Sequence, residues 1–317
     1  MARFILRRLL LSLVTIWLLT TIVFLIANVL PSNVGRTILG PFAPIESVNA
    51  LNHKLGVDRP IVIRYVDMIR QVVTLDFGTS FVSGQDVTKQ VSGAIVRSAK
   101  LAGLALLITI PISIAAGLLA ARRRDRLIDR ALVLLGVTSS SIPEFVTGTI
   151  LVVVVGVQLH WLPVLATPPP NADVPTTIRY LLMPAIAMAV VYFGYIARMT
   201  RSGTIEVLDS DYIRTATMKG LTTGRTMVRH VLRNALIPTV AVISVQIGYL
   251  FGGIIAVEKI FNYNGMGNTM LLAAQRKDIP ILTAGVMVIG IVYMATTLAA
   301  DLIIAWMNPR IRLDEER

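Results

Sequence analysis

The chain repeats one pattern that a water-soluble fold cannot absorb: apolar runs of membrane-spanning length, each ended by arginine or by turn residues. The first, residues 9–30, follows Arg3, Arg7 and Arg8. A secretory signal has a similar charged start, but its apolar core is only about 7–15 residues. About 20 are needed to cross the hydrocarbon of a bilayer. The run is therefore read as a first span that enters from the cytosol. Later runs at 98–120, 131–159, 180–197, 235–257 and 281–307 bring the expected spans to six. The third is interrupted near Ser139–Pro143, and Pro111 lies inside the second. Composition agrees: 55% of the residues are hydrophobic and 15% charged, against about 25% charged in soluble domains.

Charge gives the orientation. The net charge of +12 would suit nucleic acid, but the arginines cluster at the ends of apolar runs, as at Arg122–Arg126. That is positive-inside topology, and no nucleic-acid partner is expected. The loop after the third run, with His160, Trp161 and Pro168–Pro170, holds no lysine or arginine before Arg179 and is placed outside. Both termini are then inside. The expected fold is an all-α polytopic membrane protein, N-in and C-in, in contact with membrane lipid. It divides into a span at 1–30, an extracytoplasmic subdomain at 31–97, a five-helix core at 98–307 and a cytosolic tail at 308–317. The subdomain has helical patterns near 45–54 and 60–73, then a turn-rich stretch at 76–80.

Within the core, the cytosolic loop 198–238 is polar and basic between two apolar runs. Asp209 or Ser210 suits a helix N-cap. Asp211 adds negative charge at the positive end of the helix dipole. Gly220 suits a left-handed C-cap. A helix of about nine residues, roughly 14 Å long, is marginal alone and needs a surface. Ile213, Ala216 and Thr217 share one face. A second helix is expected from Thr222 or Thr223, with Arg225, Arg229 and Arg233 in a stripe.

The order of short motifs resembles the permease subunits of the dipeptide/oligopeptide branch of ABC importers, with a MetI-like permease core. Leu55-Gly-Val-Asp-Arg-Pro60 with Tyr65, Asp76-Phe-Gly-Thr-Ser80, Ala216-Thr-Met-Lys-Gly-Leu221 with Arg233-Asn-Ala-Leu-Ile-Pro238, Glu258-Lys-Ile-Phe261 with Gly265-Met-Gly267, and Asp301 with Asn308-Pro-Arg-Ile-Arg312 carry it. Arg214 stands where the general loop motif has an acidic residue, and Asn308 replaces the usual aspartate. The resemblance implies a second homologous permease subunit, two ATP-binding subunits and an extracytoplasmic solute-binding protein in a bacterial cytoplasmic (inner) membrane. It implies that Asp211, Tyr212, Ile213, Arg214, Thr215, Ala216, Thr217, Lys219, Gly220 and Leu221 dock an ATPase. The small Ala216 and Gly220 would let its backbone approach.

Glu144 lies inside the third run, where a carboxylate facing lipid is costly. It either lines a solute path and meets a cationic group or makes a structural bond at a helix break. Ser140 and Ser141 line the path or bond their own helix. Gln246 and Tyr249 are further candidates for the path, with helix packing as the alternative. No GxSxG, HExxH or GxxxxGK[ST] motif occurs, so no enzyme activity is expected and the ATP site belongs on another chain. No cofactor is expected. The chain has no cysteine, and its three histidines lie in separate segments, so no metal is expected. A stand-alone secondary transporter or channel is the alternative. It would need broken helices in matched halves, and no inverted repeat is visible.

Overall fold

The computed structural model describes residues 2–29, 33–220, 222–227 and 231–307. It is all-helical apart from an isolated bridge between Thr79 and Asp86. Among the described residues, five helices are long and apolar enough to cross a membrane, or six if one bent pair counts as a span. The chain forms two units: 100–263 with the segment from 295, and 2–99 with 264–294.

The first unit is built on one long helix, α8 (Val174–Leu208; labels follow chain order). Asp173 caps it, accepting the Thr176 N–H at 3.2 Å. Around it lie α5 (Val87–Arg122, from Lys100 onward), α6 (Leu127–Ser141), α7 (Glu144–Leu151) and α12 (Ile237–Ile260). Close approach is bought with glycine. A Cβ on Gly194 would stand 1.9 Å from the Gly136 carbonyl oxygen, and one on Gly117 would stand 2.6 Å from that of Ala197. Gly148 faces Ala187 and Phe261, and Gly156 faces Met183. Thus α6 and α7 meet α8 at successive points, in reverse chain order. They bend by 96° at Ile142–Pro143, and a π-helical turn (Val152–Gln158) continues α7. The third run is therefore two helices at nearly a right angle.

Two spans are longer than their apolar runs. The fourth was expected over 180–197, yet α8 continues to Leu208. Its arginines are accommodated. Arg198 bonds the Gly194 carbonyl and lies over the Tyr195 ring. Arg201 makes two bonds to the buried Asp129 of α6, at 2.6 and 2.7 Å. Charge ends an apolar run, not a helix. Likewise α5 begins at Val87 rather than 98, because Asp86 accepts the Lys89 N–H at 2.8 Å.

In the second unit, α1 (Ala2–Val29) is the first span. The short α2 (Val34–Leu39) and α13 (Met266–Arg276) were not anticipated; α3 (Ile45–Leu55) and α4 (Ile61–Thr74) were. α2 and α3 are tied by Asn52, which accepts the Gly35 N–H at 2.8 Å. The motif at 76–80 has a structural reason. Phe77 is buried in the core with Val87, Val91 and Met266. Ser80 donates to Asp278, a buried carboxylate that also accepts the Phe81 N–H at 3.2 Å just before α14 (Ile279–Met307).

Candidate functional site

Helix α9 (Asp211–Met218) follows α8 after a two-residue turn. Its first N–H groups are met by a backbone carbonyl: Ile213 and Arg214 both donate to Ser210 O. The expected side-chain caps are used elsewhere. The Ser210 hydroxyl donates to the Val207 carbonyl, and Asp209 accepts from Arg124 at 3.0 Å. Gly220, with φ +79°, takes the left-handed conformation expected of it.

The helix has an inner and an outer face. Ile213 is buried with Val231 and Ala235, and Val207, Leu208 and Met227 pack around them. Burying one isoleucine contributes about 1.5–3 kcal/mol, which a helix of this length needs. Ala216 is buried too. Its small side chain lets α9 lie close to its own chain. The outer face carries Asp211, Arg214, Thr215, Met218 and Lys219, all exposed. Met218 is 75% exposed. Arg214 lies 3.6 Å from Asp211, one helical turn away. Tyr212 is part of this face, but its hydroxyl is held by the Asn234 amide at 3.0 Å. No neighbour stands within 4 Å of a Cβ on Gly220.

Among the described residues the second helix of the loop comprises α10 (Thr223–Thr226) and α11 (Leu232–Ala235). Arg233 is not a free member of a basic stripe. It donates to the Trp306 carbonyl at 2.8 Å and lies over the Trp306 ring. Leu221, Arg229, the tail from Asn308, and the side chains of Thr217 and Arg225 lie outside the described residues.

The path candidates separate. Ser140 and Ser141 bond carbonyls of their own helix, those of Gly136 and Val137. Glu144 is the first residue of α7 and half-buried. Its charge there favours the positive end of the helix dipole, which supports the structural reading. On α12, Gln246 is buried and Tyr249 exposed. Sequence reasoning missed Met218. It also missed Tyr192 of α8, whose buried hydroxyl has no hydrogen-bond partner among the described residues. Nothing in the pattern around Tyr192 marks it. Met218 could have been found, since a residue five places after Ile213 falls across the helix from it.

A family model described as "Binding-protein-dependent transport system inner membrane component" matches residues 113–313. A model of that system's N-terminal membrane component matches residues 1–95. The chain is 32% identical over 312 residues to the "Glutathione transport system permease protein GsiC" of Salmonella typhimurium (strain LT2), covering 98% of this chain and 99% of that one. It is 31% identical over the same length and coverage to the protein of that name from Escherichia coli (strain K12). An amino acid ABC transporter solved with histidines aligns over 70% of this chain and 94% of its own at 16% identity, with a TM-score of 0.47.

Proposed function

The chain belongs to the binding-protein-dependent transport family of inner membrane components, multi-pass permease subunits with no catalytic activity of their own, and on that premise we propose that α9 is where the ATP-hydrolysing subunits drive it. Permeases of this family work with ATPase subunits and a binding protein. Here two ATP-binding subunits and a second, homologous permease complete the importer. Six spans run with both termini in the cytosol, the bent α6–α7 pair being the third. The relatives named for glutathione make a small peptide or similar polar solute the reading for this chain.

The two-faced packing of α9 carries the proposal. Ile213 and Ala216 root the helix, while Tyr212, Arg214, Met218 and Lys219 face outward. A rooted helix transmits displacement instead of rolling away from it. ATP must bind one global state better than the other, and a docked rigid element lets that difference reach the spans. Gln246 and Tyr249 belong to the solute path in this scheme.

The test is Met218→Glu in the assembled importer. An exposed apolar anchor made acidic should weaken retention of the ATP-binding subunits by about tenfold or more, equivalent to about 1.4 kcal/mol. Insertion of the chain should be unchanged, because Met218 has no part in the packed core. Normal co-purification and solute-stimulated ATP hydrolysis would remove α9 as the docking element.

A further inference from the structure

Helix α4 has three faces. Met68 is buried, and Tyr65 and Val72 are partly buried on the same side. Arg64, Asp67, Arg70 and Thr74 lie on a polar side. Between these faces Val62, Val66, Ile69 and Val73 recur at i, i+4, i+7 and i+11, which makes one continuous stripe. Val62, Val66 and Val73 are 69%, 60% and 76% exposed. Packing among the described residues does not account for them.

The partners of α4 fix its depth. The Tyr65 hydroxyl accepts the Trp17 indole N–H at 3.0 Å and lies 3.0 Å from the Thr21 hydroxyl. Its ring meets Phe24 edge-on, with centroids 5.4 Å apart. Arg64 donates to the Asn28 side chain. All four partners are on α1, and they follow one another along about 16 Å of helix. Trp17 lies about 12 Å along the apolar run from Leu9, well inside a hydrocarbon layer about 30 Å thick. That holds whichever way α1 runs. A helix that reaches Trp17 and Thr21 through one tyrosine cannot stand clear of the bilayer. The contacts also satisfy polar groups on α1 that hydrocarbon would leave without partners.

We propose that α4 lies in the plane of the membrane, with its Val62–Val66–Val73 stripe seated on the acyl chains of the leaflet that surrounds the second half of α1. The polar side, with Arg70, faces the headgroups. An apolar stripe beside a mixed-charge polar face, with Ile63 as its one exposed apolar residue, suits an interfacial helix buried about 5–10 Å into the headgroup and acyl boundary. Lipid is the occupant because α4 is held through Tyr65 and Arg64 on α1, a span with only 11% of its apolar window buried. The segment after α1 thus leaves the membrane through α2 and α3 and returns to it with α4.

The absence of cysteine from the chain makes the test direct. Single variants Val62→Cys, Val66→Cys and Val73→Cys are spin-labelled in the assembled importer in phospholipid vesicles. Leu13→Cys on α1 serves as the lipid reference and Lys54→Cys on α3 as the aqueous one. All five positions are exposed, so none removes core packing. The stripe labels should collide with oxygen several-fold more than with a water-soluble nickel chelate, as at position 13, and be broadened by no protein contact. Chelate access matching position 54 would overturn the proposal. Protection from both reagents, the mark of a protein partner on the stripe, would overturn it equally.

Discussion

Adding one methyl group at Gly194 is the sharpest test of how the first unit is held together. On the backbone as it stands, the new Cβ would lie 1.9 Å from the carbonyl oxygen of Gly136, about 1.5 Å short of the 3.4 Å at which ordinary contact begins. The obstacle is backbone, so no side-chain rotation relieves it. α6 and α8 must separate, and overpacking of this kind costs about 3 kcal/mol at the upper end of its usual range. Alanine gains about 1 kcal/mol over glycine in helix propensity, which leaves a net loss of about 2 kcal/mol. The melting temperature should fall on the order of 4–8 °C. Gly136→Ala is the control. Its Cβ would meet Gly194 Cα at 3.3 Å, so clash and propensity nearly cancel and stability should change by less than about 1 kcal/mol. Thermal unfolding of both variants in the same detergent, followed by aggregation or intrinsic fluorescence, separates them. Equal stability of the pair, or a larger loss in Gly136→Ala, would refute the reasoning.

Two further outcomes follow from buried polar contacts. Asp129→Ala removes the partner of Arg201, and breaking a buried pair costs about 3–5 kcal/mol. Arg201 keeps some solvent access, so about 2–3 kcal/mol is expected, read as reduced thermal stability; a loss under about 0.5 kcal/mol would show that the pair holds nothing. Ser80→Ala leaves the Asp278 carboxylate with the Phe81 N–H as its remaining bond among the described residues. About 1–3 kcal/mol is expected, visible as faster proteolysis in the 80–86 turn; unchanged cleavage would contradict the assigned contact.

The spans were legible because length and apolarity suffice to mark a membrane crossing. Their true ends were not. At Arg198 and Arg201 the apolar run stops, but the helix continues on hydrogen bonds to Gly194 and Asp129, and that pairing joins residues far apart in sequence. The start of α5 could have been placed from Asp86, which has the usual cap chemistry. Helix α9 was legible from Asp211 and Gly220, which mark its ends locally. The direction of its faces was not, because Ala216 looks the same whether it meets its own chain or another. The lipid-facing stripe of α4 was visible in the spacing of Val62, Val66 and Val73. The polarity of residues 31–97 taken as a whole gave the extracytoplasmic subdomain and did not single out α4.

The length of α8 has a mechanical consequence. The backbones of α6 and α8 come together at Gly194, and from there Leu208 is about 21 Å away and Pro184 about 15 Å in the other direction. Pro184 lacks the N–H that would continue the hydrogen-bond ladder, so one backbone bond is missing there although α8 continues to Val174. A shaft pinned between unequal arms is a lever. A thrust of about 3 Å delivered at Leu208 would emerge near Pro184 as about 2 Å in the opposite sense, with the pivot supplied by two residues that have no side chains.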